Sequence, residues 1–194
     1  MKHEVTSYQT KRLLADALKK AMKRKPFAKV TVSEIITACG VNRKTFYYHF
    51  ENIYELLRWM FEEEAVDVVK KFDLSVDYEK AIRFVMDYVE ENDYIISCAY
   101  HSIGREEMKR FLYADFIGVT SSVIDAEEAR LGLSLDTDLK LFVAKFYTEA
   151  LAGMLIDWAQ EKDKRDKEKT IKYLVMIVGT TIESMKNAGY YMRQ

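Results

Sequence analysis

The sequence predicts an all-α protein, a small three-helix head built around a helix-turn-helix and leading into a larger helical body, about nine helices. Two observations carry this. One proline and seven glycines in 194 residues leave few places to break a helix. Apolar side chains also recur at three- and four-residue spacing in one segment after another, the period of a helix packed on one face. Apolar residues make up 49% and charged residues 31%, a globular rather than disordered balance, and the length suffices for a sizeable core.

From about Thr6 to Lys23, Leu14, Ala17, Leu18, Ala21 and Met22 form the apolar face of a first helix, which Pro26 ends. Next, TVSEIITACG opens with Thr31 and Glu34 at capping-box spacing, and Gly40 supplies a left-handed stop. Asn42 caps a short helix, RKTFYYHF, so residues 31–50 read as helix, tight turn, helix. Asn52 with Glu55 starts a longer helix, in which Ile53, Leu56, Leu57, Met60, Phe61, Ala65, Val68, Val69 and Phe72 keep helical spacing. Ala81, Phe84, Val85, Tyr88 and Val89 mark another, with further helix at 93–103 and 105–131 ending at Gly132. The expected division is a head over residues 1–51 and a body over 52–194.

Residues 137–160 are apolar on more than one face. Leu139, Phe142, Val143, Phe146, Tyr147, Ala150, Leu151, Met154, Leu155 and Trp158 form one stripe, yet Leu141, Ala144, Ala152 and Ile156 lie elsewhere, so the helix must be covered on more than one side. The final helix, 167–188, repeats this with Ile171, Leu174, Val175, Val178 and Ile182 joined by Tyr173, Met176 and Ile177. Small Ala150, Ala152, Gly153 and Gly179 permit close approach. The pair suggests a homodimer in which each chain gives two helices to a four-helix bundle, with Phe146, Ala150, Leu151, Gly153, Met154, Leu174, Val175, Val178 and Ile182 at the interface. A thick monomeric core is the alternative. The charged stretch 161–169 reads as a solvated connection.

Composition excludes several classes. No apolar run approaches the roughly 18 residues of a membrane span, and MKHEVTSYQTKRLL lacks the apolar stretch of a signal peptide, so a cytoplasmic protein is expected. Cys39 and Cys98 are too few for a zinc knuckle or a disulfide framework, leaving redox sensing by Cys98 as a side possibility. The three histidines, at 3, 49 and 101, are not at metal-ligand spacing, and no GxSxG, Walker or GxGxxG motif occurs, so neither a metal, a cofactor nor catalysis is expected. The net charge of -1 hides an asymmetry: residues 1–50 carry 11 Lys or Arg against 3 Asp or Glu, and residues 51–194 carry 19 against 28. A basic quarter on an acidic body brings one surface to a polyanion while the rest repels it.

In a helix-turn-helix, the second helix places its N-terminal residues against base edges in the major groove. Val41, Phe46 and Phe50 suit the inside of RKTFYYHF, leaving Asn42, Arg43, Lys44, Thr45, Tyr47, Tyr48 and His49 outside. Arg43 suits a bidentate contact to guanine and Thr45 a thymine methyl. The two tyrosines and His49 suit phosphate contacts, and Thr31 and Ser33 stand where a helix start favours an anion. The alternative is that Thr31 only caps and that Tyr48 and His49 only pack.

The run TVSEIITACGVNRKTFYYHFENIYELL resembles the N-terminal signature of the TetR family (AcrR-like) of helix-turn-helix transcriptional regulators, over about residues 10–60. The resemblance implies a homodimer with a three-helix DNA-binding head, a linking fourth helix, and a body that binds a small-molecule effector and dimerises through its last two helices. It implies contacts to a palindromic double-stranded operator from Thr31, Ser33, Arg43, Lys44, Thr45, Tyr47, Tyr48 and His49. Position 53 departs from the pattern: family members often carry a phosphate-binding lysine there, and this chain has Ile53, so that contact is lost or supplied by Lys29 or Lys44. GMLIDWAQEK resembles members grouped with regulators of dihydroxyacetone kinase. A regulator of this kind is expected to repress, with activation or partner recruitment without an effector as the alternative; a helical protein-interaction module is the rival outside the family. Candidate pocket residues are Tyr88, Tyr94, Cys98, Tyr100, His101, Phe111, Tyr113, Phe116, Phe142 and Tyr147, against the plainer reading of aromatics as core.

Overall fold

The structure, a computed structural model, describes residues 2–73, 77–161 and 166–191, and among these the only regular structure is helical. In chain order the helices are α1 (Lys2–Met22), α2 (Val32–Cys39), α3 (Arg43–His49), α4 (Ile53–Phe61), α5 (Asp67–Val69), α6 (Tyr78–Glu91), α7 (Asp93–Leu131), α8 (Thr137–Gln160) and α9 (Lys167–Tyr191). A 3-10 turn, Phe27–Lys29, follows α1, and a π-helical turn, Glu62–Val66, separates α4 from α5. The long helix expected from residue 52 is therefore helical to residue 69 but underwound in its middle. The break expected between 103 and 105 is present as Gly104, whose φ of 81° and ψ of 170° lie in a region open essentially to glycine.

Contacts divide the chain into two compact units, residues 1–65 with 92–108, and residues 66–91 with 109–194. In the first, α1 packs on α2, α3 and α4. Leu14, Leu18, Phe27, Ile35, Phe46, Leu56, Leu57 and Met60 are at most 1% exposed and form its core. Burying each such side chain contributes about 1.5–3 kcal/mol. Val41, expected inside, is only half-buried. The start of α7 joins this core through fully buried Ile95 and Ala99. Its polar residues hold the turn after α1: the Phe27 N–H donates to Cys98 Sγ (3.1 Å) and the Ala28 N–H to Ser102 Oγ (3.2 Å). In the π-helical turn, Glu63 accepts from Tyr8 and Glu64 from Lys19, tying it to α1.

In the second unit α6 packs on α9. Arg83 makes a two-pronged contact to Glu168, and Lys167 lies between Asp87 and Glu90, which push its pKa up to about 12. Gly179 approaches α6 closely, since a Cβ there would sit 3.4 Å from the Tyr78 hydroxyl. Helix α8 turns mostly small residues inward: Ala144, Thr148, Ala152 and Ala159 are buried, with Ile156 beside them. Thr148 and Thr120 of α7 share a hydrogen bond of 2.8 Å, and both hydroxyls reach the Ala144 carbonyl, so neither is left unsatisfied in this core.

Candidate nucleic-acid interface

Local chemistry fixes both helices of the helix-turn-helix. Thr31 closes a complete capping box on α2: its hydroxyl accepts the Glu34 N–H (3.3 Å) and donates to the Glu34 carboxylate (3.0 Å), which also accepts the Thr31 N–H (3.0 Å). The Lys25 ammonium first, then Thr31, hold that carboxyl below its usual range. Gly40 ends α2 at φ 66°, ψ 25°, the left-handed stop expected. Asn42 caps α3 by accepting the Thr45 N–H at 2.8 Å and the Thr45 hydroxyl at 3.1 Å. Asn52 caps α4 by accepting from the Tyr54 and Glu55 N–H groups.

On α3, Phe46 and Phe50 point into the core at 0% and 3% exposure, as their spacing predicts. The outer face carries exposed Arg43, Lys44, Tyr47 and Tyr48, with Thr45 and His49 half-buried beside them. Ser33 is exposed on the first turn of α2. Burial, then the Lys11 charge, lower the pKa of His49, so the charged imidazolium is disfavoured there. The surface so formed offers a guanidinium, an ammonium, phenols and an imidazole from one short helix, a donor set suited to phosphates and base edges.

This geometry is matched by sequence comparison. A model described as "Bacterial regulatory proteins, tetR family" matches residues 14–60, and one described as "Transcriptional regulator C-terminal region" matches residues 77–179, over half the chain. The chain belongs to the TetR family. A curated relative, the HTH-type dhaKLM operon transcriptional activator DhaS of Lactococcus lactis subsp. lactis (strain IL1403), is 21% identical over 145 residues, 75% of this chain and 76% of that protein. Among solved structures, the dihydroxyacetone kinase operon activator DhaS superposes with a TM-score of 0.69 at 20% identity, covering 90% of this chain and 96% of that one. A TetR transcriptional regulator from Streptococcus agalactiae 2603V gives 0.56 at 21%, covering 92% and 98%. As a TetR-family member the chain is a transcriptional regulator with an N-terminal DNA-binding domain, and not an enzyme.

The position at the start of α4 where the resemblance implies a lysine is Ile53 here. With Asn52 occupying the Tyr54 and Glu55 N–H groups, that helix start offers neither a cation nor those donors, whereas Lys29 and Lys44 both stand exposed. The sequence did not reveal the Lys25–Glu34 ion pair, for which a nine-residue separation gives no signal. It also did not reveal the Arg43–Tyr47 contact, which i, i+4 spacing on one helix face would have shown.

The ten aromatic, thiol and imidazole residues proposed for a pocket are divided between the units. Tyr94, Cys98, Tyr100 and His101 belong to the first; Tyr88, Phe111, Tyr113, Phe116, Phe142 and Tyr147 belong to the second. Tyr94 lies under the Lys23 ammonium, 4.9 Å from its ring centroid, and His101 is exposed. Phe142 is 67% exposed and stacks on Phe146. Burial pushes the Cys98 thiol up in pKa, opposite to the shift a redox-sensing thiolate needs. A groove of about 590 Å³ in the second unit is lined by other residues, including Glu79, Arg83, Glu168, Lys169 and Lys172. Among the described residues no cluster of His, Cys, Asp or Glu is placed to hold a metal, and no helix is long and apolar enough to cross a membrane.

Of the residues expected at a dimer interface, Phe146 and Met154 are exposed at 58% and 46%, and Ala150, Leu151, Gly153, Leu174, Val175 and Val178 are half-buried. The side chain of Ile182 lies outside the described residues. Leu141, Phe142, Tyr173, Met176 and Ile177 add further exposed apolar surface to the same two helices, each at least 41% exposed.

Proposed function

We propose that the chain acts as a homodimer that occupies a palindromic operator through α3 of each protomer and represses transcription, its operator binding modulated by a small-molecule effector. The observation that carries the reading is the outer face of α3, where Arg43, Lys44, Tyr47 and Tyr48 are exposed over a fully buried Phe46. Arg43 reads a base edge; Lys44, Tyr48, His49 and Ser33 contact phosphates; and Thr45 sits where it meets a thymine methyl. Thr31 fixes the start of α2 by its capping box, and its contact to DNA is made beside that role. The exposed apolar residues of α8 and α9 support self-association, since large apolar side chains left in water are commonly covered by a partner. Two heads fit half-sites about 34–36 Å apart, so an effector that moves the helix following Asn52 changes operator affinity, and effector and DNA affect each other reciprocally.

Activation is the second reading, favoured because DhaS is named an operon activator in both comparisons. Selection of random duplex DNA by the full-length protein, followed by salt titration of the winner, tests the common core of both. An enriched palindrome, with a slope of about 0.9 log units per log unit of salt for each phosphate neutralised, is expected. Sequence-blind binding would instead favour a helical interaction module. Transcription in vitro from a promoter carrying the selected site separates repression from activation.

A further inference from the structure

The two consecutive tyrosines of the recognition helix are placed differently, and the difference bears on how DNA sequence is read. Tyr48 is 80% exposed, and its ring meets the neighbouring His49 ring, 4.9 Å away and nearly perpendicular. Tyr47 is 47% exposed and leans edge-on against the fully buried Phe46 ring, with centroids 5.4 Å apart at 82°. Its outer side is occupied by Arg43. The guanidinium carbon lies 5.5 Å from the Tyr47 ring centroid, and Nη2 donates to the Tyr47 hydroxyl at 3.3 Å. A flexible four-bond side chain at the first position of α3 is thus held at two points by an aromatic ring that is itself braced against the core.

We propose that Tyr47 is a positioning residue for sequence recognition: it fixes the Arg43 guanidinium for a base edge, while Tyr48 serves the phosphate backbone. This rests on the assignment of Arg43 to base readout. An arginine that is unrestrained before binding loses rotamer freedom when it docks, and one already held loses less. A planar guanidinium must also be correctly tilted to make two parallel hydrogen bonds to guanine, and the cation–π contact and hydrogen bond to Tyr47 together restrict that tilt. The ring and the hydroxyl act separately: the ring supplies the cation–π contact and the hydroxyl the hydrogen-bond anchor.

The test uses the full-length protein, its selected operator and the set of operators altered at single base pairs, with affinities read by fluorescence anisotropy and helix content by circular dichroism. Arg43→Ala first identifies the base pair whose preference it removes. At that pair, Tyr47→Phe is expected to reduce discrimination about threefold and Tyr47→Leu about tenfold, leaving preferences elsewhere intact. In the Arg43→Ala background, the same Tyr47 substitutions should leave that pair's preference unchanged, because the residue they act through is gone. Tyr48→Phe should weaken all operators alike. If both Tyr47 variants lower affinity equally for every operator, Tyr47 is a backbone contact and the proposal is overturned. If Arg43→Ala removes no preference, the base-readout assignment falls and the proposal with it, an outcome recognisable from that single variant.

Discussion

The helix-turn-helix and the α8–α9 pair meet their surroundings in opposite ways. In the first, large aromatic residues turn inward and charged or hydroxylated residues face out: Phe46 is fully buried while Arg43 and Lys44 are exposed. In α8 the small residues turn inward, Ala144, Thr148, Ala152 and Ala159, and large ones such as Phe142 and Phe146 face out. A surface of the first kind is stable in water and binds a polyanion; one of the second kind gains by excluding water with another apolar face. Exposure of a residue therefore has a different meaning in each region.

The largest expected effect comes from charging the apolar face. Phe146→Glu should weaken self-association on the order of 4 kcal/mol, about a thousandfold in dimer dissociation constant, as seen by sedimentation velocity. A variant that stays dimeric and soluble would move the interface off α8 and erase the contrast.

A smaller effect should follow in the head, where conformation rather than surface is at stake. Gly40→Ala forces a side chain into the left-handed region at φ 66°, with no neighbour within 4 Å of the new Cβ, so its cost is conformational: about 1–2 kcal/mol in denaturant unfolding. Thr31→Ala should cost about 1 kcal/mol through the lost cap, and Thr31→Ser should restore it. Ser33→Ala should leave stability alone and weaken binding to all operators alike, with the salt slope unchanged because no charge is removed. A flat response to Ser33→Ala would remove it from the interface.

The weakest expected effect is on pH. Burial lowers the pKa of His49 from its ordinary 6.5, so the folded state disfavours the charged ring. Stability from this site is then full above pH 6.5 and declines as pH falls toward the lowered folded value. A DNA phosphate beside His49 favours the charged form, so operator affinity should rise over the same interval. Unfolding and binding followed between about pH 8 and 5 should move in opposite directions, and His49→Gln should flatten both. Parallel movement would mean that His49 packs without touching DNA.

Helix starts and stops were legible because their causes are local. Thr31, Gly40, Asn42 and Asn52 act on backbone groups within a few residues, and each is found in the expected role. Gly104 likewise ended a helical pattern where the backbone departs from helix. The outer face of α3 was legible for a related reason: on a helix anchored by Phe46 and Phe50, the remaining positions have only one direction left. The π-helical turn at residues 62–66 was not legible, since the apolar spacing runs through it unchanged.

What the sequence determined by itself was the all-helical class, the helix ends of the head, and the family. It also showed that α8 and α9 are apolar on more than one face, without showing which face is covered within the chain. That choice was made by tertiary packing. The stripe with the larger side chains gave the stronger periodic signal, yet the buried stripe is the one made mostly of small residues, Ala144, Thr148, Ala152 and Ala159 with Ile156, where Thr148 meets Thr120 across the contact. Periodicity weighs hydrophobic size along one helix, whereas packing is decided by the shape and hydrogen bonding of the neighbour, which one helix's sequence does not contain.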